Sequence, residues 1–156
     1  MASKGLSLFH KMAKNKRLTL ITFCFCLSAL TLWAQEIMYE GENNGVLMLS
    51  VSEFNVKKKE AVAQAIKDAY FQILFRGIPG SKEYERPLLG TDENVMNANR
   101  KYYDNMIKAG RIYSFVNYSA LSYYKRKEAV VKVSLNVRAL EEDLERHNLY
   151  RRLGLY

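Results

Sequence analysis

The stretch AVVKVSLNVR, residues 129–138, alternates without a break. Ala129, Val131, Val133, Leu135 and Val137 fall on one side, and Val130, Lys132, Ser134, Asn136 and Arg138 on the other. Side chains of an extended chain point to opposite faces at each step, so this run reads as a strand with one dry face and one mostly wet face. A sheet wetted on one side is the habit of antiparallel pairing, because parallel strands are covered on both faces by their crossover helices. The aromatic, β-prone segment 112–124 precedes this run across a polar KRKE turn at 125–128. The two are expected to pair as a hairpin.

Working outward, VLMLSVSEF at 46–54 is a second short apolar run bounded by turn residues and reads as another strand, with Asn55 placed to cap a following helix. From 58 to 76, Val62, Ala65, Ile66, Ala69, Tyr70, Ile73 and Leu74 recur at three and four residues, the spacing of one helix face, and Phe71 and Phe75 widen it. Thr91 or Asp92 can cap a second helix carrying Val95, Ala98, Tyr102, Met106 and Ala109, which should end near Gly110. Leu140, Leu144 and Leu149 mark a short last helix, with Glu141, Glu142 and Asp143 in its first turn and on a solvated face.

The expected architecture is α+β over residues 45–150. It is an antiparallel sheet of about three strands with two long helices and a short C-terminal helix on one face, in the order β-α-α-β-β-α. A polar lead-in, 35–44, precedes it, and a tail, 151–156, follows. Between the two long helices lies FRGIPGSKEYERPLLG, 75–90, which holds both prolines and three of the eight glycines. Gly77 is placed to end the first helix in a left-handed turn, and Pro79 prevents its continuation. The stretch serves as a connector, or as a partner-contacting loop through Phe75, Ile78, Tyr84 and Leu88.

The first 34 residues form a secretory leader: a basic front from Lys4 to Arg17, a 15-residue uncharged apolar core at 18–32, and Ala34 before Gln35 as the cleavage point. The rival reading keeps 18–33 as an inner-membrane anchor, but a bilayer needs about 20 apolar residues. This leader carries five of the 24 basic residues and none of the 16 acidic ones, so the net charge falls from +8 to +3 on its removal. Much of the basicity that would point to nucleic acid thus belongs to the leader. Both cysteines, Cys24 and Cys26, leave with it, and the remaining body relies on its core instead of disulfides. The implied location is the periplasm or the exterior, with the membrane met only through the leader.

Catalysis has little to work with. Beyond the leader there is one histidine, His147, near the end of the last predicted helix, where a cation caps favourably. Ser122 and Lys125 spell S-x-x-K, but on a predicted strand and without companion motifs. No metal or cofactor set is spaced for binding. Lys57, Lys58 and Lys59, and likewise Lys125, Arg126 and Lys127, read as solvated runs or as contacts for an anionic surface. Adjacent Tyr123 and Tyr124 must point to opposite faces, leaving one exposed as a candidate contact. Asn117, Tyr118 and Ser119 form a sequon.

The export signal, EAVAQAIKDAYFQIL at 60–74 and VKVSLNVRALEEDL at 131–144 give the region 46–144 a resemblance to the N-terminal domain of bacterial flagellar assembly protein T and to small exported proteins of Bacteroidota. The resemblance implies an envelope α+β domain, and it carries over neither a flagellar role nor any functional residue. The expected function is a non-catalytic, protein-binding or self-assembling envelope module. The alternatives are a small-molecule or glycan module with a cleft lined by Tyr102, Tyr113 and Tyr123, and a hydrolase in which Ser122 and Lys125 meet a carboxylate. Protein recovered from its own cells should give an intact mass that starts at Gln35, whereas a species starting at Met1 would contradict the leader.

Overall fold

A computed structural model describes residues 36–90 and 93–149 of the chain. The expected leader with its cleavage point at Ala34 and Gln35, the expected capping residues Thr91 and Asp92, the side chains of Val95 and Ala98, and the expected tail 151–156 lie outside the described residues.

Four strands form one antiparallel sheet: β1 (Glu36–Asn43), β2 (Val46–Phe54), β3 (Val116–Lys125) and β4 (Glu128–Asn136), in the spatial order β1-β2-β4-β3. Three α-helices accompany them: α1 (Lys58–Phe75), α2 (Glu93–Lys108) and α3 (Val137–Arg146). The α+β class and the antiparallel hairpin of β3 and β4 match the sequence reading. The expected strand count does not. Residues 35–44, expected as a polar lead-in, supply a fourth strand, and the order becomes β-β-α-α-β-β-α.

The physical reason is the turn that follows. Asn44 and Gly45 both take positive φ, 52° and 74°, the left-handed pair that a two-residue hairpin turn needs and that Asn-Gly adopts most readily. Val46 is thereby paired with Asn43, and the register runs to Glu36 opposite Ser52, with a bulge between Tyr39 and Gly41. Ile37 and Tyr39 pack on the core while Met38 and Glu40 are exposed.

Strand β4 alternates as its sequence requires. Ala129, Val131, Val133 and Leu135 are buried, and their β2 partners Glu53, Val51, Leu49 and Leu47 are buried with them. Helix α1 lies against β2, β3 and β4. It buries Ala61, Ala65 and Ala69 completely, at a four-residue spacing that lets a helix approach closely, and Ile66, Tyr70, Ile73 and Leu74 extend the buried face. Asn55 does not cap α1. It takes a φ of 61°, and Lys57 stands at the cap position without a side-chain bond to the helix. Segment 112–115, expected in the strand, instead belongs to a 3-10 turn (Arg111–Phe115) that drives Ile112 and Phe115 into the core before β3 starts.

The connector after α1 is folded tightly onto it. The amides of Leu88 and Leu89 donate to the carbonyls of Ile73 and Leu74, at 3.0 and 2.9 Å, and that of Ile78 donates to the Tyr84 carbonyl at 2.7 Å. Ser81 is buried, accepting from the Tyr84 amide and donating to Glu42 at the end of β1. Burial first, and the facing Glu83 carboxylate second, raise Glu42 above the usual carboxylate range. Gly77 ends α1 with a φ of 80°, and a Cβ there would run into the Glu85 carbonyl. Gly80 has a similar φ, yet its Cβ would meet only the Tyr39 side chain at ordinary contact distance. Gly77→Ala should therefore lower stability by about 2 kcal/mol or more, and Gly80→Ala by about 1. Urea melts of the two variants would check this, and equal losses would contradict the packed-loop account.

Candidate functional site

The face of the sheet turned away from α1 is built by strand register. Tyr118 stands opposite Ser134, which stands opposite Met48. Ala120, Lys132 and Ser50 form the next row, with Met38 beyond Ser50, and Tyr123, Val130 and Ser52 the one after. Phe54 and Lys125 flank Glu128 at the end. Since Ala129, Val131, Val133 and Leu135 point inward, the residues alternating with them point outward. Among the described residues six large hydrophobic side chains are exposed. Five of them, Met38, Met48, Phe54, Tyr118 and Tyr123, share this face, and the sixth, Tyr113, stands on the 3-10 turn.

Between these side chains lie Ser52 and Ser134, with Lys132 Nζ paired to Glu40 at 3.1 Å. The pair is exposed and contributes about 0–1 kcal/mol. Met48, Tyr118, Lys132 and Glu40 border a depression of about 130 Å³. That is below the roughly 300 Å³ at which small-molecule pockets begin. Methionine and tyrosine standing over small serines suit a broad macromolecular contact, because methionine repacks easily and tyrosine gives large contact area for little lost rotamer freedom.

Of the residues expected as contacts, the structure leaves Tyr123 exposed and turns Tyr124 inward, where its hydroxyl donates to the Val56 carbonyl at 3.1 Å. The connector residues are corrected. Phe75, Ile78 and Tyr84 are 2, 0 and 3 % exposed and Leu88 packs on the same core. Their apolar side chains are used inside the domain because the hydrogen bonds to α1 fold the connector down, so Phe75, Ile78 and Tyr84 are closed to a partner and only part of Leu88 stays accessible. The three tyrosines of the alternative cleft reading stand apart: Tyr123 on the outer sheet face, Tyr113 on the 3-10 turn, and Tyr102 on α2 with its hydroxyl directed to α3. Ser122 and Lys125 lie exposed on β3, and Asn117 is exposed on the same strand.

Two carboxylates of α3 depart from the solvated face expected of them. Asp143, expected on a solvated face in the first turn of α3, lies in the second turn and is 4 % exposed. The Tyr102 hydroxyl donates to its Oδ2 at 2.6 Å, and Arg111 Nη2 donates to both oxygens at 2.7 and 2.8 Å. Arg146 is 3.6 Å away, and His147, the C-cap residue of α3, holds Nδ1 2.7 Å from the Asp143 carbonyl with its ring against Tyr102. Burial, and then the bond to Asp143, raise the Tyr102 hydroxyl well above its ordinary range, so it stays a donor. The cluster ties α2, the 3-10 turn and α3 together. The available signal was positional: Asp143 falls three residues after Leu140 and beside Leu144, inside the stripe that faces the core. Glu141 is buried as well, which corrects the solvated reading for it, while Glu142 is exposed. Among the described residues no set of His, Cys, Asp or Glu side chains is placed to hold a metal ion, and no helix is long and apolar enough to cross a membrane.

No family model, curated protein or solved structure matches the chain significantly. Asp143→Ala should cost about 2 kcal/mol, since it strands a half-buried phenol and a half-exposed guanidinium. Glu142→Ala, its exposed neighbour, should stay within about 0.5 kcal/mol. Denaturant melts of the pair give the comparison, and equal effects would remove Asp143 from its structural role.

Proposed function

We propose that this chain is an exported envelope protein that acts without catalysis, binding another protein or a second copy of itself through the outer face of its sheet. The observation that carries the reading is the gathering of Met38, Met48, Phe54, Tyr118 and Tyr123 on one face that α1 does not cover. Burial of these side chains against a partner removes apolar surface at about 25 cal/mol per Å², and the serines between them leave room for a partner's side chains. The shallow depression supports this reading over a small-molecule or glycan module, because a ligand of that size would stay largely in water. The connector 75–90 serves the fold in this account, and the hairpin of β3 and β4 serves the contact.

The leader supports placement in the envelope, with export delivering a body free of thiols to an oxidising compartment. Cross-linking in intact cells followed by mass spectrometry should recover a discrete complex or a homodimer, with links confined to β1–β4 side chains of the outer face. The double variant Met48→Lys/Tyr118→Asp should reduce that recovery at least tenfold while leaving the melting curve within a few degrees, since both side chains are already exposed. Undiminished recovery from the variant would overturn the assignment of this face.

A further inference from the structure

Two basic runs that are 68 positions apart in the chain meet at one end of the domain. The Val56 amide donates to the Lys127 carbonyl at 3.1 Å and the Tyr124 hydroxyl donates to the Val56 carbonyl at 3.1 Å. These bonds fix the start of α1 against the β3–β4 turn. Lys57, Lys58 and Lys59 are thereby brought beside Lys125, Arg126 and Lys127, and all six are exposed. The exposed acids flanking them are Glu60, which lies 3.8 Å from Lys57, and Glu128. Phe54, half exposed, stands opposite Glu128 at the same end of the sheet.

The turn itself is built against its conformational preference. Arg126 and Lys127 have φ of 51° and 67°, the left-handed pair of a two-residue hairpin turn, which Asn-Gly fills with least strain. The same sheet uses Asn44-Gly45 for the equivalent turn between β1 and β2. At α1 the positive end of the helix dipole meets three lysines, again against preference. Both departures place exposed cations at one end of the sheet, and an exposed aromatic ring lies next to them.

We propose that this end of the domain docks on an anionic phospholipid surface, with the six cations facing the headgroups and Phe54 entering the interface. A flat charged layer fits better than a strand of nucleic acid here, because the cations gather on a two-residue turn and a helix start at one end of the sheet and do not run as a stripe along an element that could follow a phosphate backbone. Each Lys or Arg near such a surface strengthens binding about fivefold, and added salt weakens it.

The test is co-sedimentation of the full chain with vesicles of phosphatidylcholine alone and of phosphatidylcholine with phosphatidylglycerol. Neutral vesicles record uptake through the apolar core of the leader, and its five cations act equally in parent and variant, so the reading is the ratio between the two compositions compared between parent and variant. The ratio should be large at low salt and fall steeply as salt is added. Arg126→Asn/Lys127→Gly is the decisive variant, because it gives the turn its preferred residues. It should melt at or above the parent temperature while the ratio drops roughly twentyfold. Equal uptake by both vesicle types, or an unchanged ratio in the variant, would overturn the proposal. Salt-sensitive retention on DNA or an acidic peptide without preference for anionic vesicles would overturn it in favour of a different polyanion.

Discussion

The structure rests on the requirement that β4 keep one face dry. Its alternation commits Ala129, Val131, Val133 and Leu135 to the interior, and antiparallel pairing commits Leu47, Leu49 and Val51 of β2 to the same side. Something apolar must cover that side, and α1 does so with a line of alanines that allows close approach and a second line of larger residues. Sliding β4 by one residue would exchange Val131 and Val133 for Lys132 and Ser134, burying a cation. The register therefore follows from the cost of desolvating one lysine as much as from the gain of burying three aliphatic side chains.

Fixing the dry face also fixes the wet one. Lys132 and Ser134 have to emerge on the opposite side, and with them Tyr118, Tyr123, Met38 and Met48, whose exposure is set by register and not by local preference. The hydrophobic residues left outside are thus collected in one place. The other surface feature has the same origin: the hairpin that pairs β3 with β4 ends beside Val56, so the lysine run at the start of α1 meets the basic turn.

Much of this was legible in the sequence, and the failures have definite causes. The strand expected at 129–138 and the first helix show their buried sides as periodicity, and the strand at 46–54 shows as an apolar run between turn residues; the structure ends the first of these at Asn136 and opens α3 with Val137 and Arg138. Strand β1 is masked in the sequence because its outward positions carry Glu36 and Glu40, and with Glu42 beyond the bulge these acids outweigh Ile37 and Tyr39 in composition, although Asn44-Gly45 is the stronger signal. The alternative of a partner-contacting loop at 75–90 follows from its length, and the connector reading follows from its prolines and glycines. Those residues set its path, and the hydrogen bonds to Ile73 and Leu74 that turn Phe75, Ile78 and Tyr84 inward have no mark in the sequence. Asp143 was misplaced for a related reason, since its partners Tyr102 and Arg111 are 41 and 32 residues away.

The most direct measurement of the one-sided sheet is oxidative footprinting read by mass spectrometry, with methionines as internal reporters. Met38 and Met48 stand on the outer face, and Met106, on α2, is fully buried in the core. On brief exposure to peroxide or hydroxyl radical, Met38 and Met48 should oxidise many times faster than Met106 in the folded protein, with the difference vanishing in denaturant. Oxidation of Met106 at the rate of Met48, or protection of both Met38 and Met48 in the isolated monomer, would contradict the account.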